Sequence, residues 1–79
     1  MVLSVHHPRY QSLRVHMRQL RKAAKLTQTD LANAMGLEQS YVSKIERGER
    51  YVDVLFYVDW CRACGIAPRE AIQLLEGEA

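Results

Sequence analysis

The segment Leu26-Thr-Gln-Thr-Asp-Leu-Ala-Asn-Ala-Met-Gly-Leu-Glu-Gln-Ser-Tyr-Val-Ser-Lys-Ile-Glu-Arg-Gly48 decides how this chain folds. Thr27 stands where a helix needs an N-cap hydroxyl, and Asp30 follows three residues on; together they can satisfy amide groups that lack partners in a first turn. Leu31, Ala32 and Met35 recur at helical spacing and make one inward stripe. Gly36 then supplies the permissive backbone that ends a helix and allows a tight corner. Beyond Leu37, which plugs that corner, a second helix is predicted over about 39–47 with Val42 and Ile45 facing inward. Gln39, Ser40, Ser43, Lys44 and Arg47 are left outside, all hydrogen-bond formers or cations. Two short helices joined this way, the second with a polar and basic free face, can lay a helix in the major groove of duplex DNA.

Upstream, Tyr10, Leu13, Met17, Leu20 and Ala24 recur every three or four residues, which predicts a helix from about Pro8 to Lys25. Pro8 is acceptable in its first turn. Arg14, Arg18 and Lys22 fall at i, i+4 and i+8 on its outer face, where like charges repel unless phosphate, salt or solvent relieves them. Downstream, Asp53 is a candidate N-cap for a helix from about Val54 to Cys64, closed by Gly65. A short fifth helix starts near Pro68 and carries Ile72, Leu74 and Leu75 toward about Glu76. The expectation is all-α: a compact four- to five-helix bundle, a single domain over 1–79 with a flexible N-terminus at 1–7 and the helix-turn-helix at about 27–47.

At 79 residues the chain sits near the lower size limit for a self-sufficient core, so dimerisation would help. A hydrophobic fraction of 48% excludes a wholly disordered chain. No apolar run is long enough to span a bilayer, and the first eight residues lack a secretory signal pattern. The expected location is cytoplasmic, at the nucleoid through bound DNA. The net charge of +2 says little, but its distribution says more. Residues 1–50 hold nine Lys/Arg against four acids, and residues 51–79 hold two against five. The positive half contains the two-helix segment, which places an electrostatic footprint for phosphate on that side.

The segment resembles the helix-turn-helix of the Cro and lambda-repressor-like family, the xenobiotic-response-element (XRE) regulators. The matching residues are Leu26-Thr27-Gln28, Leu31-Ala32, Met35-Gly36-Leu37 and Tyr41 through Arg50, and the likeness extends from about Leu13 to Leu75. It implies a lambda-repressor-like domain that binds double-stranded DNA, usually as a symmetric dimer. In such a protein Gln39 and Ser40 match the positions that enter the groove first, with Ser43 and Lys44 as further base contacts. Gln suits adenine, Ser either base type, and Lys guanine O6/N7. Thr27, Gln28, Tyr41, Arg47 and Arg50 are expected on the DNA backbone, joined by Arg18 and Lys22; Gln28 also braces the next helix. Arg21 and Glu46 match a structural salt bridge between the first helix and the end of the third.

Cys61-Arg-Ala-Cys64, with His6-His7 upstream, invites a zinc or redox reading. Structural zinc sites need four convergent ligands, and thioredoxin-type chemistry needs a strand-to-helix junction. Within the resemblance both cysteines take core positions, where a free thiol packs as a small hydrophobe. His6, His7 and His16 read as surface residues. No metal, cofactor or small-molecule ligand is expected. No carboxylate pair or nucleophile–base arrangement points to an enzyme.

The run Val54-Leu-Phe-Tyr-Val58 departs from the family, which usually has polar residues at Leu55 and Phe56. A helix apolar on every side is expected to be buried on every side. Leu55, Phe56, Tyr51 and Trp60 are therefore expected at a homodimer interface shared with helix five. The alternative is that Leu55 or Phe56 covers the N-terminal arm. A dimer of this kind would space two recognition helices about 34 Å apart and read a palindrome. Two functions follow. One is a small transcriptional regulator, a repressor or autoregulator controlled by its own concentration or a partner. The other is an antitoxin-like interaction module whose helix-four surface holds another protein.

Overall fold

The structure is a computed structural model that describes residues 4–78. His7 opens α1 (Pro8–Ala23): its Nδ1 accepts from the Arg9 amide at 3.1 Å, and Pro8 follows in the first turn. Of the stretch 1–7 expected to be flexible, residues 1–3 lie outside the described residues. His7 closes a turn onto the Ser4 carbonyl at 2.9 Å. α1 stops two residues earlier than its periodicity predicts. Lys25 turns left-handed at φ 61°, and the Leu26 amide donates back to the Arg21 carbonyl at 3.2 Å.

Thr27 starts α2 (Gln28–Met35) with a reciprocal cap. Its hydroxyl accepts from the Asp30 amide, and the Asp30 carboxylate accepts from the Thr27 amide, both at 3.0 Å. These bonds hold the Asp30 carboxyl below the usual carboxylate range, the Thr27 amide contributing most. At Gly36 the chain adopts φ 68° and ψ 31°, a conformation that costs a side-chain-bearing residue about 1–2 kcal/mol. The turn lets the Leu37 amide reach the Ala32 carbonyl at 2.8 Å, ending α2 and launching α3 (Gln39–Glu46). α4 (Val54–Ala63) is capped by Asp53, whose carboxylate accepts from the Phe56 amide at 2.8 Å. α5 (Pro68–Glu78) completes the bundle.

α2 and α3 pack on one another and are backed by α1 and α4, while α5 closes against α1 and α4. The core between them comprises Met17 and Leu20 from α1, Leu31 and Ala32 from α2, Val42 and Ile45 from α3, Tyr57, Trp60 and Cys61 from α4, and Ala71 from α5. Burying each large apolar side chain contributes about 1.5–3 kcal/mol, so this layer anchors α3 from behind.

Three expectations need correction. Trp60 does not lie at a surface: it is fully buried, and its indole N–H donates to the Met17 carbonyl at 2.9 Å. Within 54–58, burial on every side does not hold inside the single chain, where Val54 and Leu55 are 76% and 75% exposed, as a face left for an interface would be. His16 is not a surface residue either, because its Nε2 lies 2.7 Å from the buried Tyr57 hydroxyl. Among the described residues no helix is long and apolar enough to cross a membrane.

Candidate nucleic-acid interface

α3 is only eight residues long, too short to hold its shape alone in water. Its orientation comes from Val42 and Ile45, both buried, and from a polar chain along one flank. The Arg21 guanidinium grips the Glu46 carboxylate with two bonds, Nε to Oε2 at 2.6 Å and Nη2 to Oε1 at 2.9 Å. A third arm, Nη1, donates to the Leu26 carbonyl at 2.9 Å. Glu46 Oε1 also accepts from Gln28 Nε2 at 3.0 Å, and Gln28 Oε1 accepts from Gln39 Nε2 at 2.7 Å. One unbroken chain, Arg21–Glu46–Gln28–Gln39, thus ties α1 to both ends of α3 through the first residue of α2. Hydrogen bonding to Glu46 outweighs burial and raises the Arg21 pKa above its ordinary value.

Opposite Val42 and Ile45, Ser40, Ser43, Lys44 and Arg47 project from one face, as their spacing requires. Gln39 stands on the flank beside Gln28. After giving one N–H to Gln28, its amide retains a second N–H and a carbonyl oxygen. Those two groups are the pair that adenine N7 and N6 require. A groove of about 390 Å³ runs past Ser40 and Lys44, lined also by Leu37, Glu38 and Tyr41. Arg47 is tethered before any ligand arrives: Nη1 donates to the Ser43 hydroxyl at 3.0 Å, and Nε pairs with exposed Glu49. An exposed pair of this kind is weak and can exchange for phosphate.

The other expected residues divide. Thr27 and Gln28 stand at the N-terminus of α2, where amide groups and the helix dipole favour an anion. Arg18 and Lys22 are exposed on α1, and neither forms an ion pair among the described residues. Arg50 lies over the Tyr41 ring at 5.4 Å, and that ring also meets Phe56 at 5.7 Å. Tyr41 is therefore half-buried against α4, rather than standing free on the outer face.

Two residues carry more than their sequence positions suggest. Arg14, read as an outer-face cation, lies half-buried across the end of α3, where Nη1 approaches the Glu46 carbonyl at 3.4 Å. Gly48 makes room for it: a Cβ there would stand 3.0 Å from Arg14 Cδ and Nε. Glu38 precedes α3 with its carboxylate making no cap bond, placing an acid at the mouth of the groove. An acid standing immediately before Gln39 is the signal that the sequence offers.

The cysteines form no disulfide: Cys61 is buried and Cys64 half-buried. Burial pushes both thiols up, Cys64 to about 11. Among the described residues no three His, Cys, Asp or Glu side chains converge as metal ligands.

Residues 12–75 match the family described as a helix-turn-helix domain. No curated protein matches the chain. An XRE-family like protein from Pseudomonas syringae pv. tomato is 40% identical, with 95% of this chain and 92% of that one covered and a TM-score of 0.83. The restriction-modification controller protein C.AhdI from Aeromonas hydrophila is 38% identical over 76% of this chain and 91% of its own, with a TM-score of 0.68. The clp gene regulator ClgR from Corynebacterium glutamicum shares the fold at 24% identity and a TM-score of 0.77, covering 89% of this chain and 91% of that one.

Proposed function

The chain belongs to the XRE-type helix-turn-helix family, and from that premise we propose that it is a sequence-specific double-stranded DNA-binding transcriptional regulator. It acts as a homodimeric repressor or autoregulator on a palindromic operator, with α3 in the major groove. The observation that carries this reading is the Arg21–Glu46–Gln28–Gln39 chain. It holds a base-reading amide in place before DNA arrives, so docking need not order that side chain.

In this mechanism the amide groups at the start of α2, with Thr27 and Gln28, take one phosphate. Arg18, Lys22, Arg47 and Arg50 take others and fix register. Gln39, Ser40, Ser43 and Lys44 then meet base edges, each good bidentate pair contributing about 1–3 kcal/mol of discrimination. Tyr41, its ring on Phe56, acts at the margin through its hydroxyl edge. Leu55, Phe56 and Tyr51 are assigned to the side that meets the second copy, whereas Trp60 belongs to the core.

Selection from a random duplex pool at near-physiological salt tests the reading. A palindrome with half-sites about one helical turn apart is expected. Lys44→Ala should relax one base position, while Arg47→Ala should weaken all sequences alike and reduce the salt slope by about one. Recovery of unrelated sequences by the unmodified protein would refute sequence-specific recognition.

A further inference from the structure

On α4, Leu55, Asp59 and Arg62 recur at i, i+4 and i+7 and form the stripe opposite buried Tyr57, Trp60 and Cys61. Asp59 and Arg62 are both exposed, and among the described residues neither side chain has a hydrogen-bond or ion-pair partner. Beside the stripe an open groove of about 490 Å³ separates α4 from the end of α2. Apolar Met35, Leu37, Phe56 and Ala63 line it together with Asp59 and Arg62. An occupant of this surface needs an apolar side chain for the groove, with a base and an acid in the reverse order of Asp59 and Arg62.

We propose that the occupant is a second copy of this chain, its α4 antiparallel to the first, with Asp59 of each copy against Arg62 of the other. The proposal rests on the homodimer reading above and names the surface that forms it. The argument is one of symmetry. Asp59 and Arg62 stand three residues apart, about 4.5 Å along the helix axis. A two-fold axis through their midpoint reverses the order, so both acids meet bases without further design. In a two-fold interface every contact made by one copy is returned by the other.

The same axis carries Leu55, about 8 Å from it along α4, beyond the partner's Ala63, at the open end of the partner's groove. Leu55 is 75% exposed in the single chain, and this gives it an apolar seat. Exposed charge pairs add little affinity. Here they set direction, because a parallel α4 pair in register would set acid on acid and base on base.

Sedimentation of the full chain at micromolar concentration and low salt, with Asp59→Arg, Arg62→Asp and the double exchange, tests this. Far-UV circular dichroism checks that each variant is folded. Each single reversal should weaken the dimer by about tenfold or more. The double exchange should return it to within about threefold of the unmodified chain, since opposite charges again face each other. Leu55→Glu should give a folded monomer. An unmodified chain that dimerises while the single reversals change nothing, or a double exchange that fails to restore the dimer, overturns this surface and leaves the homodimer reading standing. A monomeric unmodified chain overturns both.

Discussion

Replacing Glu46 by alanine removes the carboxylate that Arg21 grips twice, at 2.6 and 2.9 Å, and that Gln28 reaches at 3.0 Å. The Arg21 side chain is 9% exposed and that of Glu46 4%, so the deletion strands a buried guanidinium. Removing one partner of a buried pair costs about 3–5 kcal/mol. Arg21 keeps its bond to the Leu26 carbonyl, which argues for the lower end, about 3 kcal/mol. For a domain of this size that lowers the melting temperature by about 12–24 °C, read by circular dichroism. Because the Arg21 pKa is raised, its stabilisation is complete below the ordinary arginine range and is lost only as pH rises above it. This part of the deficit should therefore be flat through neutral pH. The companion Arg21→Met/Glu46→Leu separates two roles. An apolar pair of similar volume should recover most of the melting temperature, yet Gln28 loses its anchor and DNA binding should stay weak. A Glu46→Ala melting point within about 4 °C of the original, or tight operator binding by the apolar pair, would refute the reasoning.

Gly48→Ala combines a left-handed backbone with a Cβ 3.0 Å from Arg14; a loss of about 2 kcal/mol is expected in urea unfolding, more than the 1–2 kcal/mol range's midpoint for conformation alone. Thr27→Ala should cost about 1 kcal/mol by opening the α2 cap, measured the same way. Trp60→Phe removes the donor to the Met17 carbonyl at 2.9 Å and should cost about 1–3 kcal/mol with the fold retained. With the Cys64 thiol pushed up to about 11, disulfide reagents at pH 8 should label it about a hundredfold more slowly than a free thiol, a gap that unfolding abolishes. The sign for stability follows: the thiol's contribution is intact below the ordinary cysteine range and fades as pH climbs toward 11.

Local signals were readable because their physics is local. The Thr27/Asp30 cap, the corner at Gly36 and the inward pair Val42 and Ile45 each depend on residues a turn apart, and all are present. His16 and Arg14 were misjudged because what holds them lies far along the chain, at Tyr57 and at Glu46 and Gly48. The phase of α4 was hidden for another reason. Five consecutive apolar residues carry no polar punctuation, so nothing in 54–58 distinguishes the face that holds Tyr57 from the one that exposes Leu55. Residue types alone identified the outer face of α3. The chain from Arg21 to Gln39 became visible only in three dimensions.

The division of labour on α3 also bears on how such a protein could change over generations. Ser40 and Lys44 add nothing to the core, whereas Val42 and Ile45 are buried in it and Tyr41 packs against its edge. Substitutions away from packed or hydrogen-bonded positions usually shift stability by no more than about 0.5 kcal/mol. Ser40 and Lys44 can therefore drift toward a new target sequence almost independently of folding. Gln39 is less free, because a replacement there also releases Gln28. Lineages descended from such a chain should keep the glutamine pair together or lose it together, while their neighbours diverge one at a time.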